Sequence, residues 1–233
     1  MIALFGAKGF VGSEISKSLK SLGYEVSEFT RENFEQSLGQ QFDYVINASS
    51  PAARFKAANN PSWDFEETVK KTARIFYETK FEKFIQISSI SARCQINTVY
   101  GRHKLAAEST VNDGESLIVR FGPMFGPTLK KGVLIDMINE SKIYAGKKSR
   151  YAFSPLKFNA DWVTKNLDRK GVWEVGAKNS LSLENLASKL GLSIEFEGLE
   201  DHHEIQTIEE DYHDVNLVFD FMKNHGGYKN GRK

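Results

Sequence analysis

Apolar runs of strand length alternate with apolar helical stripes along the first half of the chain. The runs lie at residues 2–5, 24–30, 42–51 and 83–89. Residues 11–22 and 65–76 instead repeat apolar side chains every three to four positions, which is typical of a helix packed on a sheet. Strands that alternate with such helices indicate parallel pairing. The pattern therefore predicts an α/β protein with a doubly wound parallel sheet.

The second half of the chain predicts fewer and shorter elements. They are a helix at 132–142, a returning strand at 171–176, a helix capped by Ser182 and ended by Gly191, an edge strand around 194–196 and an apolar element at 217–222. We predict a single domain over residues 1–233. Its core is residues 1–122, and residues 123–225 add a small, reduced C-terminal lobe plus the returning strand and helix. The glycine-rich, basic tail at 226–233 is expected to be flexible.

Three glycines follow the first strand at a spacing of three: Gly6, Gly9 and Gly12. Glycine suits these positions because the turn is tight, a pyrophosphate must approach bare backbone, and the helix must pack closely on the strand. Phe10 and Val11 then begin a helix whose first N–H groups can face an anion. An ordinary strand-to-helix turn is the alternative. The position after an N-terminal strand favours a dinucleotide-binding, Rossmann-type cradle.

The second strand ends in Thr30 and Arg31, where a dinucleotide fold meets the adenosine ribose. An acidic residue there would bind the 2′-hydroxyl, whereas a cation suits a 2′-phosphate. Lys8, inside the glycine turn, could reach the same phosphate. Arg31 and Lys8 together favour NADP(H), with NAD(H) as the alternative, and Glu28 is the residue that could reverse this preference.

Small residues follow the third strand, and these are Ala48, Ser49 and Ser50. Ligands of doubly wound sheets lie beyond the carboxyl ends of the strands, and small side chains there let a cofactor cross the sheet edge. We therefore expect these three residues to contact the cofactor. A plain strand end followed by turn residues is the alternative.

Tyr100 and Lys104 lie four residues apart in a segment of good helix formers, shortly after Ser88 and Ser89. They therefore share one helix face. A nearby ammonium should lower the pKa of the Tyr100 phenol and prepare it for proton transfer. Ser89 could hydrogen-bond a substrate oxygen whose charge changes. Tyr144 and Lys148 have the same spacing, but Gly146 between them argues against a helix there.

The composition excludes several classes of partner. The 31 basic and 30 acidic residues are well mixed and leave a net charge of +1, so neither nucleic acid nor a membrane surface is expected as a partner. No apolar run has the length of a membrane span, and the first residues enter a strand without a charged leader. The single cysteine indicates a reducing, cytoplasmic compartment. No metal is expected, because the histidines at 202, 203 and 213 lack ligand spacing and suit a solvated loop.

Four segments together resemble one known family. They are GAKGFVG at 6–12, ISS at 87–89, YGRHKLAAE at 100–108 and RFGPMFGP at 120–127. In this order they resemble the extended short-chain dehydrogenases/reductases, the NAD-dependent epimerase/dehydratase group, over about residues 1–130. Residues 97–108 are most similar to nucleotide-sugar 4-ketoreductases such as dTDP-4-dehydrorhamnose reductase and GDP-fucose synthase.

The resemblance implies a catalytic centre of Ser89, Tyr100 and Lys104. It also implies that Lys104 holds the nicotinamide ribose and that Tyr100, Ser88 and Phe121 belong to the cofactor site. The implied substrate is a nucleotide-linked sugar. A homodimer through the helices at 65–76 and 100–111 is implied as well.

The chain departs from the family pattern at three positions. Pro123 and Phe125 stand where members often have asparagine and tyrosine, and Thr68 stands where members often have asparagine on the central helix. The leading hypothesis is an NADP(H)-dependent reductase of a keto-sugar nucleotide. The alternatives are an epimerase or dehydratase that retains NAD, and a non-catalytic NADP-binding subunit or sensor.

Overall fold

The structure, a computed structural model, describes residues 1–225, so the tail predicted to be flexible at 226–233 lies outside the described residues. The chain divides into two compact units. The first comprises Met1–Phe121 and Lys157–Val175, and the second comprises Gly122–Leu156 and the chain from Gly176 onward. The single domain over 1–233 stays a prediction.

The strands, in chain order, are β1 (Ile2–Phe5), β2 (Val26–Phe29), β3 (Gln41–Asn47), β4 (Lys80–Ser89), β5 (Leu117–Phe121), β6 (Met124–Phe125), β7 (Arg150–Tyr151), β8 (Ser154–Pro155), β9 (Gly171–Val175), β10 (Leu181–Ser182) and β11 (His202–His203). The helices are α1 (Phe10–Ser21), α2 (Arg54–Asn59), α3 (Pro61–Phe65), α4 (Lys71–Glu78), α5 (Ser91–Cys94), α6 (Val99–Val111), α7 (Val133–Ile138), α8 (Leu156–Lys165), α9 (Leu183–Lys189) and α10 (Leu217–His225). A 3₁₀ turn spans Phe34–Ser37, and a π-helical turn at Glu66–Lys70 joins α3 to α4.

The first unit contains a six-stranded sheet in the order β2-β1-β3-β4-β5-β9. Every neighbouring pair is parallel, so the predicted parallel sheet is confirmed. The chain moves outward from β1 to β2 and then crosses back to β3 on the other side of β1. This reversal puts a crevice at the carboxyl ends of β1 and β3, where sheets of this kind bind ligands.

Aromatic side chains hold the first three strands together on one face of the sheet. Phe5 stacks on Phe29 with 5.0 Å between ring centroids, and Phe29 meets Phe42 edge to face at 5.8 Å. All three rings are buried. Burying each such ring stabilises the fold by about 1.5–3 kcal/mol. The carboxyl ends of β1 and β2 therefore lie on a well-packed support.

The second unit consists of short elements. Strands β6 and β8 pair in parallel, and β10, β7 and β11 form a three-stranded sheet. The helix predicted at 132–142 ends earlier, at Ile138, and Glu140 then adopts φ 50°. The edge strand predicted around 194–196 is wrong, because Phe196 forms only an isolated bridge with Ile143.

His203 corrects the expectation of a solvated histidine loop. It is buried in β11 and pairs with Asp201 at 2.8 Å. Asp201 also accepts a hydrogen bond from the Tyr151 hydroxyl. A buried imidazole is tolerated here because polar partners are buried with it.

Within residues 1–225, no helix has both the length and the apolar character needed to cross a bilayer. The same part of the chain holds no group of three or more His, Cys, Asp or Glu side chains arranged to bind a metal ion.

Candidate active site

The glycine turn between β1 and α1 has no room for side chains. Gly6 adopts φ +82°, and a Cβ added there would lie 2.6 Å from the Ala48 carbonyl oxygen. A Cβ on Gly12 would lie 2.2 Å from the Gly6 carbonyl oxygen. Gly9 is the N-cap of α1, and its N–H donates to Gly6 at 2.9 Å. Phe10, the first residue of α1, then begins a helix whose leading N–H groups can face an anion.

The end of β2 is organised by a residue that the sequence analysis missed. The Asn33 amide oxygen accepts hydrogen bonds from the Thr30 N–H and the Thr30 hydroxyl, and its nitrogen donates to the Glu28 carbonyl. Asparagine after a strand is a common turn residue, which is the signal that could have identified it. Thr30 therefore takes part in a local turn.

The two predicted phosphate-binding cations each pair with a carboxylate. Lys8 lies 3.1 Å from Glu32, and Arg31 lies 3.2 Å from Glu67. Both cations are more than 70% exposed, and ion pairs this exposed are weak enough for a phosphate to displace them. The carboxylate of Glu28 accepts from Ser16 and Lys20 on α1.

Arg31 also lines a cavity of about 310 Å³. Phe34 forms its apolar part, and Arg74 lies over the Phe34 ring at 4.9 Å. Two lysines and three glutamates, Lys70, Lys71, Glu35, Glu66 and Glu67, complete the lining. The space beside the end of β2 thus combines an aromatic ring with cations, which suits a planar base next to a phosphate.

The end of β3 is fixed by Asn47, which is completely buried. Its amide nitrogen donates to Thr72 and Gln86, and its oxygen accepts from the N–H and the hydroxyl of Ser49. Beyond it, the buried Ser50 hydroxyl has no hydrogen-bond partner among the described residues. Such an atom normally pairs with a ligand or water. The glycine turn and this unpaired hydroxyl therefore fit a nicotinamide dinucleotide lying across the sheet edge.

The structure brings the three predicted catalytic residues together. Ser89 is the last residue of β4. Its hydroxyl donates to the Ser91 hydroxyl at 3.2 Å and lies close enough to the phenol of Tyr100 in α6 to lower the pKa of that phenol. The Lys104 ammonium lies 5.4 Å from the centre of the Tyr100 ring. Both Tyr100 and Lys104 are buried. A proton donor, a hydroxyl and an amine thus share one site at the carboxyl end of the sheet.

Two further features position α6. Thr98 caps the helix by accepting the Gly101 N–H at 3.0 Å. A Cβ on Gly101 would lie 2.0 Å from the Gln95 carbonyl oxygen, so only glycine lets α6 approach the segment before it this closely. Gly101 is not among the predicted site residues, although a glycine directly after the candidate tyrosine is a visible signal.

Burial reverses the expected ionisation of the tyrosine. Burial raises the pKa of Tyr100 and outweighs the lowering influence of the Arg54 charge and of the Ser89 hydroxyl, while Asp64 raises it further. We had expected Lys104 to lower this pKa. Burial instead lowers the pKa of Lys104 to about 8, against the opposing charges of Asp64 and Glu108. With a pKa of about 8 the amine still carries its charge at pH 7, so burial of the phenol outweighs the nearby ammonium.

Ser88 does not direct a free hydroxyl toward a cofactor. It donates to Glu108, which also forms a two-point ion pair with Arg120. Phe121, the other predicted cofactor residue of this region, is buried at the end of β5, and its carbonyl accepts the Ile90 N–H. The Ser88 hydroxyl therefore belongs to a buried network beneath the site.

Solved structures share this fold at low sequence identity. A UDP-N-acetylglucosamine 4-epimerase from Methanobrevibacter ruminantium, in complex with UDP-N-acetylmuramic acid, is 16% identical, with a TM-score of 0.76 over 97% of each chain. A dTDP-4-dehydrorhamnose reductase from Clostridium acetobutylicum is 16% identical, with a TM-score of 0.75 over 96% of this chain and 98% of that one. A UDP-glucuronic acid 4-epimerase from Bacillus cereus, in complex with a UDP-sugar and NAD, is 15% identical, with a TM-score of 0.73 over 96% and 99% of the two chains.

No curated protein matches this chain in sequence. The model of the NAD dependent epimerase/dehydratase family matches residues 2–164, which include the glycine turn, the carboxyl ends of β1 to β5, and Ser89, Tyr100 and Lys104. The chain therefore belongs to the NAD dependent epimerase/dehydratase family and is an enzyme of the short-chain dehydrogenase/reductase type.

Proposed function

We propose that this enzyme is an NADP(H)-dependent reductase of a keto-sugar nucleotide, with Tyr100 as the general acid. The observation that supports this most is the buried phenol of Tyr100, which lies beside Ser89 and whose pKa is raised by burial. A raised pKa keeps the phenol protonated at neutral pH, as a proton donor to a carbonyl oxygen must be. The sugar-nucleotide enzymes among the similar structures support the substrate class.

Each residue of the centre has a separate task in this reaction. A bound nicotinamide would supply the hydride to the sugar carbonyl carbon. The Ser89 hydroxyl orients the carbonyl oxygen, and Tyr100 gives that oxygen its proton. Lys104 in its ammonium form then stabilises the phenolate left on Tyr100, which regains a proton from solvent.

Substitution of Tyr100 tests the proposal directly. Tyr100→Phe should bind NADPH as the wild type does but reduce keto-sugar nucleotides at least about a hundredfold more slowly, because general acids contribute about 10²–10⁴ in rate. Tyr144→Phe is the matched control, since Tyr144 precedes Lys148 at the same spacing but is 81% exposed. NADPH oxidation would be followed over a panel of keto-sugar nucleotides. Wild-type turnover by Tyr100→Phe would remove the phenol from the mechanism.

The preference for NADP(H) rests on Arg31 and Lys8 beside the end of β2. Glu67 competes for Arg31 and would repel a 2′-phosphate. Glu67→Gln should therefore raise the affinity for NADPH about fivefold relative to NADH, since an exposed pair contributes about 1 kcal/mol. Glu14→Gln removes a comparable carboxylate paired with Lys17 on α1 and is the control. Calorimetric titration with both cofactors measures the ratio, and an equal change for NADH would contradict the assignment.

An epimerase or dehydratase is the second candidate, because two of the similar structures are 4-epimerases and one of them contains NAD. Such an enzyme returns its hydride to the same sugar and retains its cofactor. Mass spectrometry of the purified protein separates the two functions. Stoichiometric NAD that survives gel filtration supports the epimerase, and cofactor-free protein that oxidises NADPH supports the reductase. Turnover of either kind excludes a non-catalytic subunit or sensor.

We also propose a homodimer through α3, α4 and α6. Phe65, Tyr77 and Leu105 expose apolar side chains on these helices, and apolar patches of this kind favour association. Light scattering should show a dimer that Tyr77→Lys dissociates. We assign the enzyme to the cytoplasm, because a lone cysteine, Cys94, is usual in reducing compartments.

A further inference from the structure

Asp64 is a buried carboxylate with one unused oxygen. The residue lies in α3 and is completely shielded from solvent. Its Oδ2 lies 2.8 Å from Nδ1 of His103, and a carboxylate can only accept there, so the imidazole donates. Its Oδ1 has no hydrogen-bond partner among the described residues. Burying a carboxylate in this way costs free energy unless its charge is used.

The position of Asp64 links it to the catalytic amine. Helix α3 packs against α6, and His103, which binds Asp64, directly precedes Lys104 in α6. Lys104 is 4% exposed, so water does little to screen charges from its ammonium. The charge of Asp64 raises the pKa of Lys104 and also that of Tyr100.

The other carboxylate that acts on Lys104 already has a cationic partner. Glu108 also raises the pKa of Lys104, but it is paired with the Arg120 guanidinium through three hydrogen bonds. Arg54 acts on the phenol of Tyr100. Among the described residues, Asp64 has only the His103 imidazole as a hydrogen-bond partner, so its charge is less neutralised than that of Glu108.

We propose that Asp64, anchored by His103, is a positioning residue that keeps Lys104 in its ammonium form inside the buried centre. The inference rests on the proposed function, because only a charged Lys104 can stabilise the phenolate that Tyr100 becomes after it gives up its proton. Asp64 does not touch the reacting atoms. Its carboxylate offsets the desolvation of the amine and moves the loss of the ammonium to higher pH.

A direct titration of Lys104 in the cofactor-free protein tests the inference without turnover. Lysines would be labelled with ¹³C at Cε, and the Lys104 signal identified by its absence in Lys104→Arg. The pH at which Lys104 is half protonated, its titration midpoint, should fall by at least about one pH unit in Asp64→Asn, as expected for loss of a close opposite charge. Glu82→Gln, an exposed carboxylate change in β4, should leave the midpoint in place. An unchanged midpoint in Asp64→Asn overturns the inference.

Two His103 variants keep the inference testable if Asp64→Asn fails to fold. His103→Ala removes the hydrogen-bond donor to Asp64. In His103→Asn, the amide nitrogen of the new side chain can occupy nearly the same position as Nδ1 and should restore the hydrogen bond. The Lys104 midpoint should fall in the alanine variant and recover in the asparagine variant. Equal midpoints in both variants overturn the anchoring role.

The pH profile of kcat separates the two proposals. In Asp64→Asn, the alkaline loss of activity should begin at lower pH by the same interval as the Lys104 midpoint, whereas a purely structural role would lower kcat equally at every pH. A shifted Lys104 midpoint without turnover of any keto-sugar nucleotide refutes the proposed function and leaves the effect of Asp64 on Lys104 standing. Turnover with an unshifted midpoint refutes the role of Asp64 alone.

Discussion

Lys104→Met should make the protein more stable at neutral pH while removing the amine proposed to act in catalysis. Burial lowers the pKa of Lys104 from 10.5 to about 8, and one pKa unit corresponds to about 1.4 kcal/mol. The buried ammonium therefore costs the folded state about 3 kcal/mol at about pH 7. Methionine has a similar length, carries no charge and suits an irregular buried space.

The sign of the pH dependence follows from the direction of the shift. The unfolded chain keeps an ordinary lysine, so between about pH 8 and pH 10.5 it binds more protons than the folded chain, and the stability of the wild type rises with pH. The stability gap between Lys104→Met and the wild type should thus shrink by about 2 kcal/mol between about pH 7 and pH 10.

Urea unfolding of the cofactor-free proteins, followed by tryptophan fluorescence, measures this gap. Trp162 and Trp173 lie in the same compact unit as Lys104, so their fluorescence reports on the relevant unit. Lys17→Met, at a lysine that is 68% exposed, should show no pH-dependent gap. The same gap for Lys104→Met at both pH values would refute the conclusion that burial lowers the pKa of Lys104.

Three further substitutions probe the glycine turn, a buried ion pair and a helix cap. Gly12→Ala should weaken NADPH binding at least tenfold, because its Cβ would collide with the Gly6 carbonyl and overpacking costs about 1–3 kcal/mol. Unchanged NADPH affinity in a fluorescence titration would contradict this. Glu108→Leu should lower the unfolding free energy by about 3 kcal/mol, because Arg120, which is only 16% exposed, then keeps only the more distant Glu174, at 3.9 Å. The double variant Glu108→Leu with Arg120→Met should recover most of the loss in urea unfolding, and no recovery would contradict this. Ser182→Ala should cost about 1 kcal/mol through loss of the α9 cap, and thermal unfolding that shows no loss would refute the capping role.

The parallel sheet and the glycine turn could be predicted because their signals are local. Apolar runs and glycine spacing report on neighbours in sequence, and the preferences of each segment agree with the final fold. The turn at Gly6 to Gly12 formed as expected for the same reason. The prediction of an edge strand around 194–196 was wrong, because a strand requires a paired neighbouring segment, and Phe196 pairs there with Ile143 in an isolated bridge.

The ionisation of the site could not be predicted from spacing. The four-residue separation of Tyr100 and Lys104 correctly predicted a shared helix face, but it says nothing about how much water reaches them. Burial by other elements raises the pKa of the phenol and lowers that of the amine. The same limit applies to Arg31, because its partner Glu67 lies 36 residues further along the chain.

The sequence by itself determined the alternation of strands and helices in the first half of the chain, the glycine turn and the shared helix face of Tyr100 and Lys104, because each depends on periodicity or on the conformation of a few adjacent residues. Tertiary structure alone decided which charges meet and which are hidden from water. Asp64 joins His103 across 39 residues of chain, and no local pattern encodes that contact. Electrostatic energies depend on distance and burial in three dimensions, so the protonation of the active site is a property of the folded chain.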